Sequence, residues 1–331
     1  MKANSPYSGK PMRVVYEPDT WEMRGERYRY THIAFVDVES GERFTTTESD
    51  TVCYNQVANQ YRKRHGIPYT DEMISLRSRY GLSAAKMSEV LGFGTNQWRL
   101  YEAGELPNEN NGKMIRSAMN PKVILDIVEY SREQFREKEY DKLIAKIQAV
   151  IARRSEFHRE ADDVARVYTF GRGEANGYAP QSISRLHSLL LHILKQFGNA
   201  YKTQLNKLLF YIDFLAYRES GMAISSLSYK AIEFGPVPHR YERVYSEFDD
   251  VEQRPQMIHD YEGTILVANA NADLSLFDEK ERQIIDMVCD FFKGYTARRM
   301  SEISHREPLW MNHKDVCEQI PFTEAFSLVA L

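Results

Sequence analysis

Cysteine is scarce in this sequence. Its three residues, Cys53, Cys289 and Cys317, stand far apart and form no C-x-x-C pair, which excludes a zinc ribbon. Their odd number fits poorly with a disulfide framework and points to a reducing compartment. Long apolar runs are missing as well: none approaches the roughly 18–20 residues needed to span a bilayer. The first residues, Met1 to Tyr7, lack the apolar core of a signal peptide. A cytoplasmic protein without membrane association is expected. Nor does one charge dominate: the formal net charge of −4 excludes a protein that coats nucleic acid indiscriminately. Between Gln60 and Arg116, however, nine Lys and Arg face six Asp and Glu, a small basic surplus that permits DNA binding. No internal repeat is present.

What is present is the composition of a folded protein, 43% apolar and 27% charged, in a chain of 331 residues, long enough for two or three domains. The expected fold is mainly α. Residues 1–65 read as a small α+β region: the runs Tyr28–Val38 and Arg43–Thr47, separated by Glu39-Ser-Gly-Glu42, signal a hairpin, and an amphipathic stretch follows from Glu48 to His65. Residues 66–120 read as a helix-turn-helix domain of the five-helix type. Thr70 is placed to cap its first helix and Gly81 to end it; Ser83 caps the next, and Thr95 the third, which runs through Tyr101. Residues 121–167 carry helical spacing through Val123, Ile127, Leu143, Ile147 and Ile151, which suits connecting helices or a dimerisation arm. Residues 168–183 concentrate Gly, Asn and Pro without apolar period and read as a linker. Residues 184–331 read as a mostly helical domain with a short β element. Its expected parts are helices at Ile183–Phe197, Thr203–Tyr217, His239–Phe248 and Glu279–Phe292, extended chain at Tyr229–Pro238, and a strand at Thr264–Val267.

The segments Leu82-Ser-Ala-Ala-Lys-Met-Ser-Glu-Val-Leu-Gly92 and Thr95-Asn-Gln-Trp-Arg-Leu-Tyr-Glu-Ala-Gly104 resemble the repressor-type helix-turn-helix, in particular that of the MqsA antitoxins. The resemblance implies that the third helix enters the major groove, with Asn96, Gln97 and Arg99 at base edges and Thr95 near a phosphate. Two departures stand out. Leu100 occupies the place where that family has a DNA-reading arginine, with Arg99 one position earlier, and the two C-x-x-C pairs of the family's zinc domain are missing.

Residues 184–331 resemble the Panacea, or SocA-like, antitoxin domain through four ordered segments: Asn206–Tyr211, Tyr229–Pro238, Phe277–Glu281 and Met300–Trp310. The resemblance implies a domain that neutralises a protein toxin by binding it. Aromatic side chains beside cations suit such an interface, so Lys207, Tyr211, Lys230, Phe234, Pro236 and Arg240 are expected to line or support a toxin-contacting surface. Leu208, Gly235, Pro236 and Trp310 equally suit a role in holding the fold.

Signals for chemistry are weak. Gly171–Gly177 lacks the spacing and the Gly-Lys-Ser of a phosphate loop, His187 and His192 stand five apart rather than four, and Ser184, Ser188 and Ser304 sit in no nucleophile elbow. The pairs Asp162-Asp163 and Asp249-Asp250 lie in charged runs that suit a solvated face. No catalytic residue, metal site or cofactor is expected. The expected function is that of a type II antitoxin: it neutralises its cognate toxin, represses their shared operator DNA, and works as a homodimer or a toxin–antitoxin hetero-oligomer. The alternative is a transcriptional regulator or phage-associated adaptor without a toxin.

Overall fold

Arg24 and Gly25 both have positive φ, 52° and 82°, the left-handed pair that a tight two-residue hairpin requires. They fold β1 (Arg13–Met23) onto β2 (Glu26–Val36), and β3 (Arg43–Phe44) adds to the other side of β2. The sequence reading found β2 and β3 but not β1. Pro18 interrupts the β1 pattern, and it is tolerated because β1 is an edge strand of this sheet. The following helix α1 (Thr47–His65) is joined to β2 by the buried Gln56 amide, which donates to the Thr31 carbonyl and accepts from its N–H, each at 2.9 Å.

The computed structural model describes residues 1–258 and 261–331, with side chains described outside 154–160 and 258–262. Its contacts group Met1–Val57 with Asp163–Leu331 in one unit and leave Ala58–Asp162 as a second. This differs from the division at 65, 120 and 167 expected from the sequence.

The second unit contains α2 (Thr70–Tyr80), α3 (Ala84–Val90), α4 (Gln97–Glu102), α5 (Glu109–Ala118), α6 (Pro121–Tyr130), α7 (Glu137–Ala152) and the start of α8 (Arg154–Val167). Only four of these helices fall within 66–120, and they do not close a core alone. Met73, Leu76, Met87, Trp98 and Ile115 pack into one cluster with Ile124, Val128, Leu143 and Ile147 of α6 and α7. The helices from Pro121 to Ala152 are therefore part of this domain rather than a connection leaving it. Cap residues are mostly as read: Ser83 accepts from the Lys86 N–H, and Gly81 takes the left-handed conformation after α2. Thr70 and Thr95 are corrections. The caps of α2 and α4 fall one residue earlier and one later, at Tyr69 and Asn96, and the Glu72 carboxylate accepts from the Tyr69 N–H at 2.9 Å.

In the first unit, the stretch 168–183 is not the expected linker. Tyr168, Asn176, Tyr178 and Ala179 are buried, Arg172 donates to the Tyr178 carbonyl at 2.8 Å, and the Asn176 side chain accepts from the Gly173 N–H at 2.9 Å. Its glycines serve close packing: a Cβ on Gly177 would lie 2.7 Å from that of Ala223. After α9 (Ile183–Phe197) and β4 (Ala200–Tyr201) comes α10 (Lys202–Ser220), in which every residue from Gln204 to Tyr217 is buried. Such a helix has no solvent face, and it organises the domain around itself. The ring of Phe214 stacks on that of Phe322 at 4.4 Å, while Phe210 and Tyr229 complete the aromatic cluster. Each fully buried aromatic or aliphatic side chain contributes about 1.5–3 kcal/mol through removal from water.

Two small antiparallel sheets flank α10. One has the order β6-β5-β9, from β5 (Tyr229–Ile232), β6 (Gly235–Pro238) and, near the end of the chain, β9 (Gln319–Ile320); the other has the order β4-β8-β7, with β7 (Val251–Ile258) and β8 (Tyr261–Ala268). Between β6 and β7 lies α11 (Tyr241–Tyr245), and after β8 come α12 (Glu279–Phe292), α13 (Ala297–Ser304) and α14 (Pro308–Met311). The fold is mainly α with short β elements. No helix among the described residues is long and apolar enough to cross a membrane.

Candidate partner-docking hairpin and its buried support

The hairpin β5–β6 turns at Glu233 and Phe234, and pairing of Ile232 with Gly235 closes it. Phe234, at the tip, leaves 65% of its surface in solvent, whereas Gly235, Pro236, Val237 and Pro238 behind it are buried. An exposed phenylalanine on a rigid, buried hairpin is a surface feature that the fold itself does not need.

Lys207 supports the hairpin from α10. Its ammonium, 1% exposed, donates to the Pro236 carbonyl at 3.0 Å. Burial of the charged form lowers its pKa from the ordinary lysine value to about 7. Gly235, with φ of 100°, is the only kind of residue that fits here: a Cβ would lie 2.7 Å from both Lys207 Nζ and Ser304 Oγ. On the other side Trp310 Nε1 donates to the Ile232 carbonyl at 2.8 Å, and the His305 ring stacks on Trp310 at 4.2 Å. Burial lowers the His305 pKa, and the Lys207 charge lowers it further.

The six residues expected to line or support a toxin-contacting surface therefore separate. Phe234 and Arg240 are exposed and Lys230 is half-buried, whereas Lys207, Tyr211 and Pro236 are buried and have no face to offer a partner. The reason is that α10 is enclosed on all sides. Lys207 and Pro236 meet directly beneath the tip, but Tyr211 belongs to a different network. Its hydroxyl donates to the buried Glu307 carboxylate at 3.0 Å, and that carboxylate also accepts from the Val329 and Ala330 N–H groups at 2.9 and 3.1 Å. Burial raises the Glu307 pKa.

A third buried group, Asp213, escaped the sequence reading. One of its carboxylate oxygens accepts from the N–H groups of Ile224 and Ser225 at 2.9 and 2.8 Å, the other from the hydroxyls of Ser225 and, at 2.5 Å, Tyr229. Burial raises its pKa against these hydrogen bonds. The signal was available: Asp213 is the lone acid in the run Leu208-Leu-Phe-Tyr-Ile-Asp-Phe-Leu-Ala-Tyr217. The histidines are likewise structural. His187 stacks on Phe248 at 4.7 Å, and His192 lies 2.9 Å from Asp286. Among the described residues no three His, Cys, Asp or Glu gather as metal ligands would.

In the second unit, α4 presents a separate set. Trp98 is buried, its N–H held by Ser88 Oγ at 2.9 Å and its indole N–H by Glu102, which also receives Arg77 at 2.6 Å. This fixes the helix. Thr95, Asn96 and Arg99 are exposed, and their side chains have no partner among the described residues. Gln97 instead donates to Glu105 at 3.1 Å, and Leu100 is 46% exposed beside Arg99.

A family model described as Antitoxin SocA-like, Panacea domain, matches residues 205–311, the stretch from α10 through α14 that holds the hairpin, Lys207, Asp213 and Glu307. The match supports an antitoxin-type domain there and, in general terms, a protein toxin as its partner. No curated protein and no solved structure matches the chain.

Proposed function

We propose that the chain is the antitoxin of a type II toxin–antitoxin pair and that it acts by binding, not by catalysis. The domain around α10 sequesters a cognate protein toxin, and the hairpin tip at Phe234, with Lys230 and Arg240, forms part of the contact. The observation that carries this reading is the match to antitoxins over the segment that contains the exposed hairpin. Lys207 and Pro236 serve beneath the surface as its rigid backing, and Tyr211 as part of the frame. The test is a growth assay with the reading frame next to this gene. Its product alone should arrest growth, and co-expression of the full chain should restore it. Arrest that persists with soluble full chain present would sink the reading.

The second activity proposed for the chain is repression of its own operon through α4. Thr95, Asn96 and Arg99 support this, because all three are exposed polar side chains not engaged elsewhere in the protein. Asn suits adenine and Arg suits guanine in the major groove. Gln97 takes part only by giving up its bond to Glu105. Binding of the full chain to the DNA upstream of its own gene, competed poorly by unrelated DNA, is the expected result.

A further inference from the structure

The hairpin carries more than an apolar tip. Lys230 on β5 and Arg240 just after β6 both lie close enough to His239 for their charges to lower its pKa, after burial, the larger cause. Neither cation has a hydrogen-bond or ion-pair partner among the described residues. At the other end, Lys314 extends its ammonium over the Trp310 ring, 5.2 Å from the centroid, and the same ring stacks on His305. Near β9, Glu318 and Glu324 are already engaged, 3.5 and 2.8 Å from the two nitrogens of His313. Elsewhere in this unit Arg166 pairs with Glu247, Lys202 with Glu242, and Arg254 with Glu252. Arg240 has a φ of 53°, a conformation rare for a side chain with a Cβ, and it places an uncompensated cation at the head of α11.

The geometry points to a recognition stripe along this hairpin, Lys230–Arg240 at its base and Phe234–Lys314 at its tip, that receives an acidic polypeptide segment bearing an apolar residue. Unpaired cations flanking an exposed aromatic ring complement carboxylates around an apolar anchor, which gives orientation and fast encounter as well as affinity. The inference rests on the antitoxin reading, since it names the chemistry of the partner's contact. Two exposed acids oppose the pattern, Asp315 beside Lys314 and, at the tip beside Phe234, Glu233, which would repel the proposed partner. Neutralisation of Glu233 therefore supplies a test of sign.

The probe is a fluorescein-labelled twelve-residue peptide of alternating Asp and Glu with one central Leu, titrated with the full chain and read by anisotropy. A Lys-for-acid counterpart and a single-stranded oligonucleotide of similar length are the controls. The acidic peptide should bind and the Lys peptide should not. The pair Lys230→Glu and Arg240→Glu together should weaken binding by about tenfold, with Phe234→Ala also weaker. Glu233→Gln should strengthen it. Equal binding of the Lys peptide, tighter binding of the oligonucleotide, or a double reversal without effect in protein of unchanged thermal midpoint would overturn the inference. In the growth assay, full rescue by the double-reversal variant overturns the stripe alone, whereas failure of the unaltered chain to rescue overturns the antitoxin reading.

Discussion

Lys207 Nζ and the Pro236 carbonyl, 29 positions apart in sequence, meet at 3.0 Å and bind the middle of the domain to the hairpin that carries Phe234. The bond places an amine where water does not reach and where its charged form is disfavoured, next to a glycine that leaves room for nothing else.

Gly235→Ala tests that fit. The new methyl group would meet Lys207 and Ser304 at 2.7 Å in a backbone conformation with φ of 100°. Overpacking and the strained φ together should cost about 2–4 kcal/mol, read as a lower urea midpoint. Growth rescue should fall with it, because the hairpin tip moves. A midpoint equal to that of the unaltered chain would contradict the packing described here.

Lys207 also predicts a pH dependence. Its folded pKa of about 7 lies below the ordinary 10.5, so between these values the unfolded chain holds a proton that the folded one has released. Stability should therefore rise with pH from about 7 upward, with a slope approaching about 1.4 kcal/mol per unit. Above about pH 9 the trend is opposed by Cys289, which burial pushes up to about 12 from an ordinary 9.0. Denaturation at pH 7, 8 and 9 should show the rise in the unaltered chain and its loss in Lys207→Met.

Glu307→Ala should cost about 3 kcal/mol, since it leaves the Tyr211 hydroxyl and the N–H groups of Val329 and Ala330 without their acceptor. Glu307→Gln keeps an acceptor oxygen and should cost about 1 kcal/mol. Hydrogen exchange at both Val329 and Ala330 should accelerate in the alanine variant. In the glutamine one Ala330, which shares an acceptor oxygen with Tyr211, should stay protected while Val329, whose acceptor becomes an amide NH2, accelerates.

On the proposed operator, Asn96→Ala and Arg99→Ala should each weaken binding by about tenfold, and Gln97→Ala less, because Gln97 is held by Glu105. Leu100→Arg, at an exposed position beside Arg99, should tighten binding. Anisotropy on the gene's own upstream fragment is the measurement. Identical affinities across the set would remove α4 from the interface.

How much of this was legible in the sequence depended on local chemistry. Helix α9 begins and ends where its residues indicate, because Ser182 caps one end and Gly198 turns left-handed at the other, and Asp278 marks the start of α12 in the same way. β7 was missed because Glu252, Gln253, Arg254 and Gln256 show no apolar alternation; its place is set by pairing with β8. The stretch 168–183 misled because Gly and Pro signal turns irrespective of whether the turn is solvated or buried. At the candidate site, Phe234 and Arg240, singled out by residue type, are exposed, but type alone does not reveal that Lys207 points inward. That follows from α10 being enclosed on all sides, which is a property of the whole domain.

The grouping of Met1–Val57 with Asp163–Leu331 has a consequence for synthesis. The strands β1 and β2 leave the ribosome more than a hundred residues before the chain they are grouped with, while Ala58–Asp162 emerges as one uninterrupted piece able to condense first. The N-terminal strands must then wait for partners made much later, as the Tyr16 ring does for Phe326 at 5.4 Å and the Met1 amine for Glu219 at 2.8 Å, and their maturation is a late, long-range closure. In this chain the domain that is begun first is completed last.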